Sequence, residues 1–414
     1  MTGAAPGHAP SDICVVGGAG HVGLPLSIVL AVRGHRVRIY DIDRAALDLV
    51  AQGRMPFMER GAEPLLKEAL ASGRLALTAD PSGIAGVPTL ILTIGTPIDE
   101  FMNPTLRALK QCVDDLLPYL SDGQLLILRS TVYPSVTEWL AKYLAQQGRR
   151  IPVAFCPERI VQGQAIEELQ NLPQIVSGAT PEAEEAAARI FGPIAASVVR
   201  LSPMEAEFAK LFANAFRYIE FAVANQFYTI TASAGVDYYR VMAGLKQDYP
   251  RAQGIPSAGL AAGPCLFKDT MQLAAFSKNQ FSIGYAAMLV NEGLPGFLVD
   301  HLRQRYPLES MTVGLLGMAF KADNDDPRSA LSYKLKRLLS FQASAVLTAD
   351  PYVQGDPDIL PLGEVLQRSD ILVLCIPHTP YLALDVRGRI TLDIWNVWAR
   401  TASEAPAAPA RAGR

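Results

Sequence analysis

A stretch of small residues that ends at Cys265 is the strongest sign of chemistry in the sequence. Residues 254–264 are mostly Gly, Ala, Ser and Pro, so a ligand can approach the main chain closely there. Cys265 then opens a helical pattern, where the free N–H groups and positive dipole end of a helix stabilise a thiolate. Asp269 lies four residues on, on the same helical face. The spacing indicates a nucleophilic thiol, although a small buried cysteine in a tight turn fits the same residues.

A long helical pattern from Pro203 to about Ala234 carries polar residues within an apolar stripe. Glu207, Lys210 and Asn214 interrupt the stripe, and Lys210 and Asn214 lie one turn apart on the same side. One interpretation is a structural lysine at a solvated helix edge. The other is a catalytic pair, in which an ammonium and an amide donate hydrogen bonds to an oxyanion.

The first strand-like run starts at Asp12 and leads into a glycine motif. Residues 18–23, GAGHVG, fit G-x-G-x-x-G, and a helix and a second strand follow before Asp41. In the dinucleotide fold, such glycines place the pyrophosphate at a helix N-terminus, and an acid after the second strand binds the ribose hydroxyls. The predicted dinucleotide residues are Gly18, Gly20, His21, Val22, Gly23 and Asp41. Asp41 would repel a 2′-phosphate and so favours NAD, although Arg44 nearby leaves NADP open.

Strand and helix patterns alternate beyond this motif up to residue 155, which predicts a mostly parallel sheet with helices on both faces. Three polar clusters come directly after predicted strands, at residues 95–97, 130–131 and 157–159. Because ligands bind at the carboxyl ends of parallel strands, these clusters are expected to converge on one cleft. Taken singly, each also fits a turn or a helix cap.

The composition is that of an ordinary soluble globular protein, with 414 residues and 50% hydrophobic content, enough for two or three domains. The formal net charge of -3, without a basic block, argues against nucleic acid as the main partner. The five cysteines lack C-x-x-C spacing, which indicates reduced thiols, no disulfide framework and no structural metal. No signal-like start and no apolar run of about 18 residues is present, so we expect no membrane partner and a cytoplasmic protein.

The motif GPCLFKD at residues 263–269, together with Lys210 and Asn214, resembles the cysteine motif of the nucleotide-sugar 6-dehydrogenases. The resemblance extends from about residue 12 to 398. Members of this family use NAD to oxidise UDP-glucose, UDP-GlcNAc or UDP-ManNAc to uronic acids. The resemblance implies a four-electron oxidation through a cysteine thiohemiacetal and thioester. The catalytic residues that it implies are Cys265, Lys210, Asn214, Asp269, Glu158 and Thr131.

The same resemblance assigns the polar clusters and several single residues. Residues 95–97 and 130–132 look like the family's cofactor-side loops, and residues 156–160, CPERI, look like its substrate loop. It adds to the cofactor site Thr96, Thr131, Lys268 and Arg328. It assigns to the substrate Arg159, Ile160, Lys210, Asn214, Arg251, Gly259 and Lys321. Lys321 is expected to meet the UDP phosphates, and Arg251 to reach the partner's site in a homodimer.

One position points to a branch of the family. Four residues after Glu158, the UDP-glucose branch usually carries a second glutamate, whereas this chain has Gln162. That departure favours a UDP-N-acetylhexosamine, with UDP-ManNAc first and UDP-GlcNAc or UDP-glucose as alternatives. Two more distant hypotheses are a two-electron hydroxy-acid dehydrogenase, which needs no cysteine, and a non-catalytic nucleotide-binding protein. A smaller departure is Ser135, where the family commonly has glycine.

The predicted fold class is α/β, with two Rossmann-like doubly wound domains joined by a central all-helical dimerisation region. A second α/β pattern starts at Met311 but lacks G-x-G-x-x-G, so a second dinucleotide is not implied. The predicted segments are a flexible leader at 1–11, an NAD-binding domain at 12–202, a helical domain with the cysteine loop at 203–305, a UDP-binding domain at 306–398 and a disordered tail at 399–414.

Overall fold

The computed structural model describes residues 12–96, 98–99, 105–260 and 263–398. Within these ranges the chain forms two compact units. The first contains the residues up to Asn214 together with Lys268–Gln280, and the second contains Ala215–Phe267 and the residues from Phe281 onward. The central helices contribute to both units, and the predicted domain boundaries stay a prediction. The predicted leader and tail, and Pro97 of the first polar cluster, lie outside the described residues.

The first unit is built on a parallel-type sheet. Its strands are β1 (Ile13–Val16), β2 (Val37–Tyr40), β3 (Leu75–Thr78), β4 (Thr89–Leu92), β5 (Leu125–Leu128), β6 (Val153–Phe155), β7 (Gln174–Gly178) and β8 (Val198–Arg200). They are arranged in the order β3-β2-β1-β4-β5-β6-β7-β8, and the β6–β7 pair is antiparallel while the others are parallel. The strand order reverses between β1 and β4, which is where such sheets bind dinucleotides.

The helices of the described ranges are distributed over both units. They are α1 (Gly23–Val32), α2 (Arg44–Ala51), α3 (Ala62–Ala71), α4 (Arg107–Leu116), α5 (Val136–Gln146), α6 (Ala165–Asn171), α7 (Pro181–Phe191), α8 (Pro203–Ser233), α9 (Tyr238–Lys246), α10 (Leu266–Phe276), α11 (Ser282–Arg303), α12 (Leu331–Leu339) and α13 (Leu362–Arg368). No helix in the described ranges is both long enough and apolar enough to cross a membrane.

Helices cover both faces of the first sheet because its strands are apolar on both faces. Val15 of β1 packs in one cluster with Leu24 of α1, and Val16 packs in another with Leu140 of α5. Successive strand residues point to opposite faces, so each face has its own core. This arrangement holds the carboxyl ends of the strands, where the predicted site residues lie, on a rigid support.

The second unit contains a smaller sheet with the strands β9 (Thr312–Leu316), β10 (Ala345–Ala349), β11 (Ile371–Leu374) and β12 (Ile390–Asp393). All its pairs are parallel, in the order β10-β9-β11-β12. Leu315 of β9 packs with Leu335 of α12 and Leu298 of α11 in one apolar cluster. The predicted fold class is confirmed: along the chain, an N-terminal Rossmann-type sheet is followed by a helical region and then by a C-terminal parallel sheet.

Candidate active site

The glycine motif forms the turn between β1 and α1. A Cβ atom on Gly23 would lie 2.6 Å from the Cα of Gly18, and one on Gly18 would lie 2.7 Å from the carbonyl oxygen of Val15. Only glycine permits this close packing of the helix against the strand. Gly20 is different, because it is exposed and a Cβ there would meet nothing nearer than 3.6 Å. The turn therefore presents open main chain at a helix N-terminus, which fits a dinucleotide pyrophosphate.

The acid predicted to bind the ribose lies directly after β2. Asp41 Oδ2 accepts a hydrogen bond from the main-chain N–H of Ala19 at 2.9 Å, and its Oδ1 accepts one from that of Asp43 at 3.0 Å. These bonds hold the half-buried carboxylate beside the glycine turn. The orientation suits acceptance of hydrogen bonds from two neighbouring hydroxyl groups.

Five predicted residues of the first unit are linked by polar contacts. Asn214 Nδ2 donates a hydrogen bond to Asp269 Oδ2 at 2.5 Å, and Lys268 Nζ pairs with Asp269 Oδ1 at 2.8 Å. Lys268 Nζ also lies 3.2 Å from Thr96 Oγ1, which in turn donates to the carbonyl oxygen of Thr131 at 2.5 Å. Asp269 is fully buried, so its charge depends on Lys268 and Asn214 for compensation. The network ties the start of α10 to α8 and to two strand ends.

Lys210 is a buried cation that has no counterion in the part of the chain that the structure describes. Its side chain lies on α8 four residues before Asn214, and the residue is 6% exposed. Among the described residues, none forms a hydrogen bond or an ion pair with its Nζ atom. An ammonium on a largely buried side chain is poorly screened by water, so a ligand oxygen that carries negative charge would be strongly stabilised beside it.

Arg129 is a second buried cation, and the sequence analysis missed it. It follows β5, and its Nη1 donates hydrogen bonds to the carbonyl oxygens of Cys156 and Pro157 at 3.0 and 3.3 Å and to Gln174 Oε1 at 2.6 Å. It thereby fixes the main chain just before Glu158, whose own N–H donates to the Arg129 carbonyl oxygen at 3.2 Å. An arginine that ends an otherwise apolar strand, LLILR, was the available signal.

The substrate loop predicted at residues 156–160 starts at the end of β6. Glu158 Oε1 is buried and has no hydrogen-bond partner among the described residues. Arg159 donates through its guanidinium to the Pro173 carbonyl oxygen, and Ile160 packs at the edge of an apolar cluster. The loop therefore holds one carboxylate oxygen with unused hydrogen-bonding capacity.

Gln162, just beyond this loop, contacts the glycine turn. Its Nε2 lies 3.1 Å from His21 Nδ1, and the His21 ring packs on Phe57 with ring centroids 4.0 Å apart. The residue that distinguishes branches of the resembled family therefore adjoins the predicted cofactor turn, a contact that sequence spacing does not reveal.

Cys265 differs from the other cysteines in exposure. It is exposed immediately before α10, whose N-terminal N–H groups favour a thiolate. Burial raises the pKa of Cys14 and Cys156 to about 12 and that of Cys112 to about 11, and it raises the pKa of Cys375 still further. Arg328, which forms a bidentate ion pair with Asp326, is close enough for its charge to interact with Cys265. These features make Cys265 the cysteine best suited to nucleophilic chemistry.

The remaining predicted substrate residues belong to the second unit. The Gly259 N–H donates to Asn225 Oδ1 at 2.9 Å, and a Cβ on Gly259 would lie 2.2 Å from the Trp395 ring. The main chain there is thus packed too tightly for any side chain. Arg251 is exposed in a short helical turn, and Lys321 is half-buried after β9.

Comparison with known proteins identifies the family. Models of the three domains of the UDP-glucose/GDP-mannose dehydrogenase family match this chain: the NAD binding domain at residues 11–195, the central domain at 204–292 and the UDP binding domain at 314–400. The chain belongs to this family. It is an NAD-dependent UDP-sugar dehydrogenase, and the predicted family and cofactor are confirmed.

Relatives of this dehydrogenase match along nearly the whole chain. The UDP-N-acetyl-D-mannosamine dehydrogenase of Pyrococcus horikoshii is 28% identical over 400 residues, which cover 92% of this chain and 94% of that protein. The NDP-N-acetyl-D-galactosaminuronic acid dehydrogenase of Ralstonia nicotianae is 27% identical over 405 residues, which cover 92% of this chain and 95% of that protein.

Solved structures agree with these relatives. The P. horikoshii UDP-D-ManNAc dehydrogenase superposes with a TM-score of 0.86 at 27% identity, covering 93% of this chain and 95% of that one. A UDP-glucose dehydrogenase from Pyrobaculum islandicum gives a TM-score of 0.85, also at 27% identity, covering 95% and 96%. Proteins named for different sugars are therefore about equally similar to this dehydrogenase, so similarity shows the class of substrate but not the sugar.

Proposed function

We propose that this dehydrogenase oxidises the C6 hydroxyl of a UDP-N-acetylhexosamine, UDP-ManNAc first, to the uronic acid through covalent catalysis by Cys265. The observation that carries the proposal is Lys210, a buried residue whose ammonium has no counterion among the described residues and which lies one helical turn from Asn214. Such a pair of donors is suited to an oxyanion that forms during reaction.

The chemistry proceeds in two oxidations at one carbon. Two NAD molecules, which the glycine turn and Asp41 would hold one after the other, would each supply the acceptor for one hydride. The C6 hydroxyl first loses a proton and a hydride and becomes an aldehyde. The Cys265 thiolate then adds to the aldehyde carbon and forms a thiohemiacetal, which loses a second hydride and a proton to leave a thioester. Water cleaves the carbon–sulfur bond, which releases the acid and regenerates the thiol.

Lys210 and Asn214 stabilise the oxygen atom at C6 as it gains negative charge. One well-placed donor of this kind is worth roughly 3–4 kcal/mol of the barrier. Asn214 is fixed by its hydrogen bond to Asp269, so its amide is oriented before substrate binds. Pre-orientation of this kind avoids a reorganisation cost in the transition state.

Water activation falls to two carboxylates. Asp269 accepts a proton from the attacking water or orients it, and Glu158 assists through a bound water together with Thr131. The buried Glu158 Oε1, without a hydrogen-bond partner among the described residues, supports this role. Lys268, next to Asp269 in the chain, favours the thiolate form of Cys265 and contacts the cofactor phosphates. Arg328 also contacts the cofactor.

The choice of sugar rests on the substrate loop. Gln162 stands where the UDP-glucose branch usually has an acid, and Arg159 and Ile160 are proposed to contact the sugar nucleotide together with Lys321 and Gly259. A relative named for UDP-N-acetyl-D-mannosamine supports UDP-ManNAc. UDP-GlcNAc is the first alternative, and UDP-glucose is the second, because a structural neighbour is named for it.

A homodimer is part of the proposal. Phe216, Val223, Phe227 and Ile230 form an apolar stripe on α8, and each is at least 40% exposed in the single chain. An exposed stripe with this coiled-coil-like spacing indicates burial against another helix. Arg251, exposed and without an ion pair to any described residue, is proposed to reach the site of the partner subunit.

The test is a turnover panel with UDP-ManNAc, UDP-GlcNAc, UDP-glucose and UDP-N-acetylgalactosamine, with NADH and acid product both quantified. We expect two NADH per acid and fastest turnover with UDP-ManNAc. Cys265→Ser should reduce acid formation by about 10³-fold or more, while Cys112→Ser, which alters a half-buried thiol, should not. One NADH per substrate, or an unaffected Cys265→Ser variant, would refute the thioester route. If UDP-glucose is turned over fastest, the proposed substrate is UDP-glucose instead of UDP-ManNAc.

A further inference from the structure

Glu207 is a fully buried carboxylate that the proposed mechanism does not use. It lies on α8 three residues before Lys210 and seven before Asn214, so the three side chains share one face of the helix. Burial raises the pKa of the Glu207 carboxyl, although three hydrogen bonds oppose that shift. A buried acid of this kind needs a structural explanation, because its desolvation is costly.

The partners of Glu207 lie at the start of α5. Its Oε2 accepts a hydrogen bond from the Ser135 N–H at 2.6 Å. Its Oε1 accepts from the Thr137 N–H at 2.9 Å and from Thr137 Oγ1 at 2.6 Å. Main-chain N–H groups in the first turn of a helix have no partner within the helix, so this carboxylate satisfies two of them.

These contacts connect two parts of the candidate active site. The loop that precedes α5 runs from Thr131, which accepts the Thr96 hydrogen bond, to Ser135, which has a positive φ of 77°. A non-glycine residue in this region is strained, and the hydrogen bond from its N–H to Glu207 helps to hold it there. At the other end of the shared helix face, Asn214 is fixed by Asp269. Lys210 therefore lies between two anchored points.

We propose that Glu207 is a positioning residue that fixes the start of α8, and with it Lys210, relative to the loop that carries Thr131. The role of Lys210 rests on the proposed function above, whereas the anchoring of α8 to the start of α5 does not. The ammonium of Lys210 has no described partner of its own to hold it, so its location depends on the helix that carries it. Misplacement of a catalytic donor by about 1 Å can cost about 100-fold in rate.

The first experiment replaces Glu207 by glutamine, which keeps the shape but turns one acceptor into a donor that faces an N–H or O–H group. We expect Glu207→Gln to lower kcat by about 10-fold or more, with the KM for NAD changed less than about twofold. Glu205→Gln is the matched control, because Glu205 lies two residues earlier on α8 and its carboxylate is exposed and bonded to Ser202. The control should retain full activity.

A double-mutant cycle separates positioning from general destabilisation. If Glu207 acts through Lys210, adding Glu207→Gln to Lys210→Met should leave kcat unchanged from Lys210→Met alone. If the two substitutions lower kcat independently, so that their fold-losses multiply in the double variant, the proposal is wrong. Thr137→Val removes one partner from the α5 side without touching the acid, and we expect a smaller loss of kcat that is likewise absent in the Lys210→Met background.

Amide hydrogen exchange tests whether Glu207 anchors α8 to the start of α5, and it does not require turnover. Glu207→Gln should speed exchange at residues 131–137 and in the first turns of α8, and leave the glycine turn at residues 18–23 unchanged. Uniform acceleration along the chain, or none at residues 131–137, would contradict the proposal. If the wild-type protein turns over no UDP-sugar, the proposed function fails, and the exchange data still decide the role of Glu207.

Discussion

The two sheets of this dehydrogenase contain the same local arrangement but use it differently. In each, a strand ends in a glycine turn, and an acid after the neighbouring strand accepts hydrogen bonds from that turn. Asp41, after β2, accepts from the Ala19 N–H at 2.9 Å. Asp350, after β10, accepts from the N–H groups of Met318 and Ala319 at 2.5 and 3.1 Å. The acid therefore holds the turn in both sheets.

The difference lies in what covers each acid. The Asp350 side chain is fully buried, and His378 Nε2 lies 3.0 Å from its Oδ2. His378 is also fully buried, and its Nδ1 accepts a hydrogen bond from the Asp323 N–H at 2.9 Å, which assigns the ring proton to Nε2. Within the described ranges no side chain covers Asp41 in this way, and the residue is half-exposed. The comparison teaches that an acid at this position keeps hydrogen-bonding capacity for a ligand only where no side chain occupies its remaining face.

The largest expected effect is on stability. Asp350→Ala removes the acceptor for His378 and for four main-chain N–H groups, those of Met318, Ala319, Tyr352 and Val353. We expect a loss of about 3–5 kcal/mol in the free energy of unfolding, because buried donors are left without partners. Asp41→Ala should cost about 1 kcal/mol or less, because water can replace its hydrogen bonds. Urea unfolding of both variants measures the contrast, and equal losses would show that the two acids serve the same purpose.

The second largest expected effect is on the affinity for NAD. Asp41→Ala should raise the KM for NAD by about 10- to 100-fold, the loss expected for charged hydrogen bonds to a ribose. It should also narrow the preference for NAD over NADP, because the repulsion of a 2′-phosphate is removed while Arg44 remains. Asp43→Ala is the control, since Asp43 caps α2 by accepting from the Ala46 N–H at 3.0 Å. An unchanged KM for NAD in Asp41→Ala would place the ribose elsewhere.

The contrast between the acids also marks the limit of sequence analysis. The glycine turn and Asp41 were predictable, because strand, turn, helix and acid follow one another within about thirty residues of local pattern. His378 lies 28 residues beyond Asp350, and their contact depends on the strand order β10-β9-β11. Glu207 reaches the start of α5 across 70 residues of chain. Such contacts arise from packing between elements, which periodicity and spacing do not encode.

The smallest expected effect is on the pH dependence of stability. Burial alone would raise the pKa of the Asp350 carboxyl, but the hydrogen bonds that it accepts from His378 and from main-chain N–H groups hold the pKa below its ordinary value. A carboxyl whose folded pKa lies below its unfolded value, about 3.9, contributes stability above that pH and loses it as the pH falls through the folded pKa.

The second unit should therefore lose stability on acidification below about pH 4, and Asp350→Asn should flatten that loss. Trp395 and Trp398 lie in the second unit and Trp139 in the first, so a Trp139→Phe background makes tryptophan fluorescence report the second unit alone. The urea concentrations at the unfolding midpoint, measured between pH 3 and 6, then show how steeply the stability of the second unit falls with pH. If the stability of Asp350→Asn depends on pH as steeply as that of the wild type, the acid sensitivity comes from other carboxylates. The Asp350–His378 pair then serves only to cover the turn that follows β9.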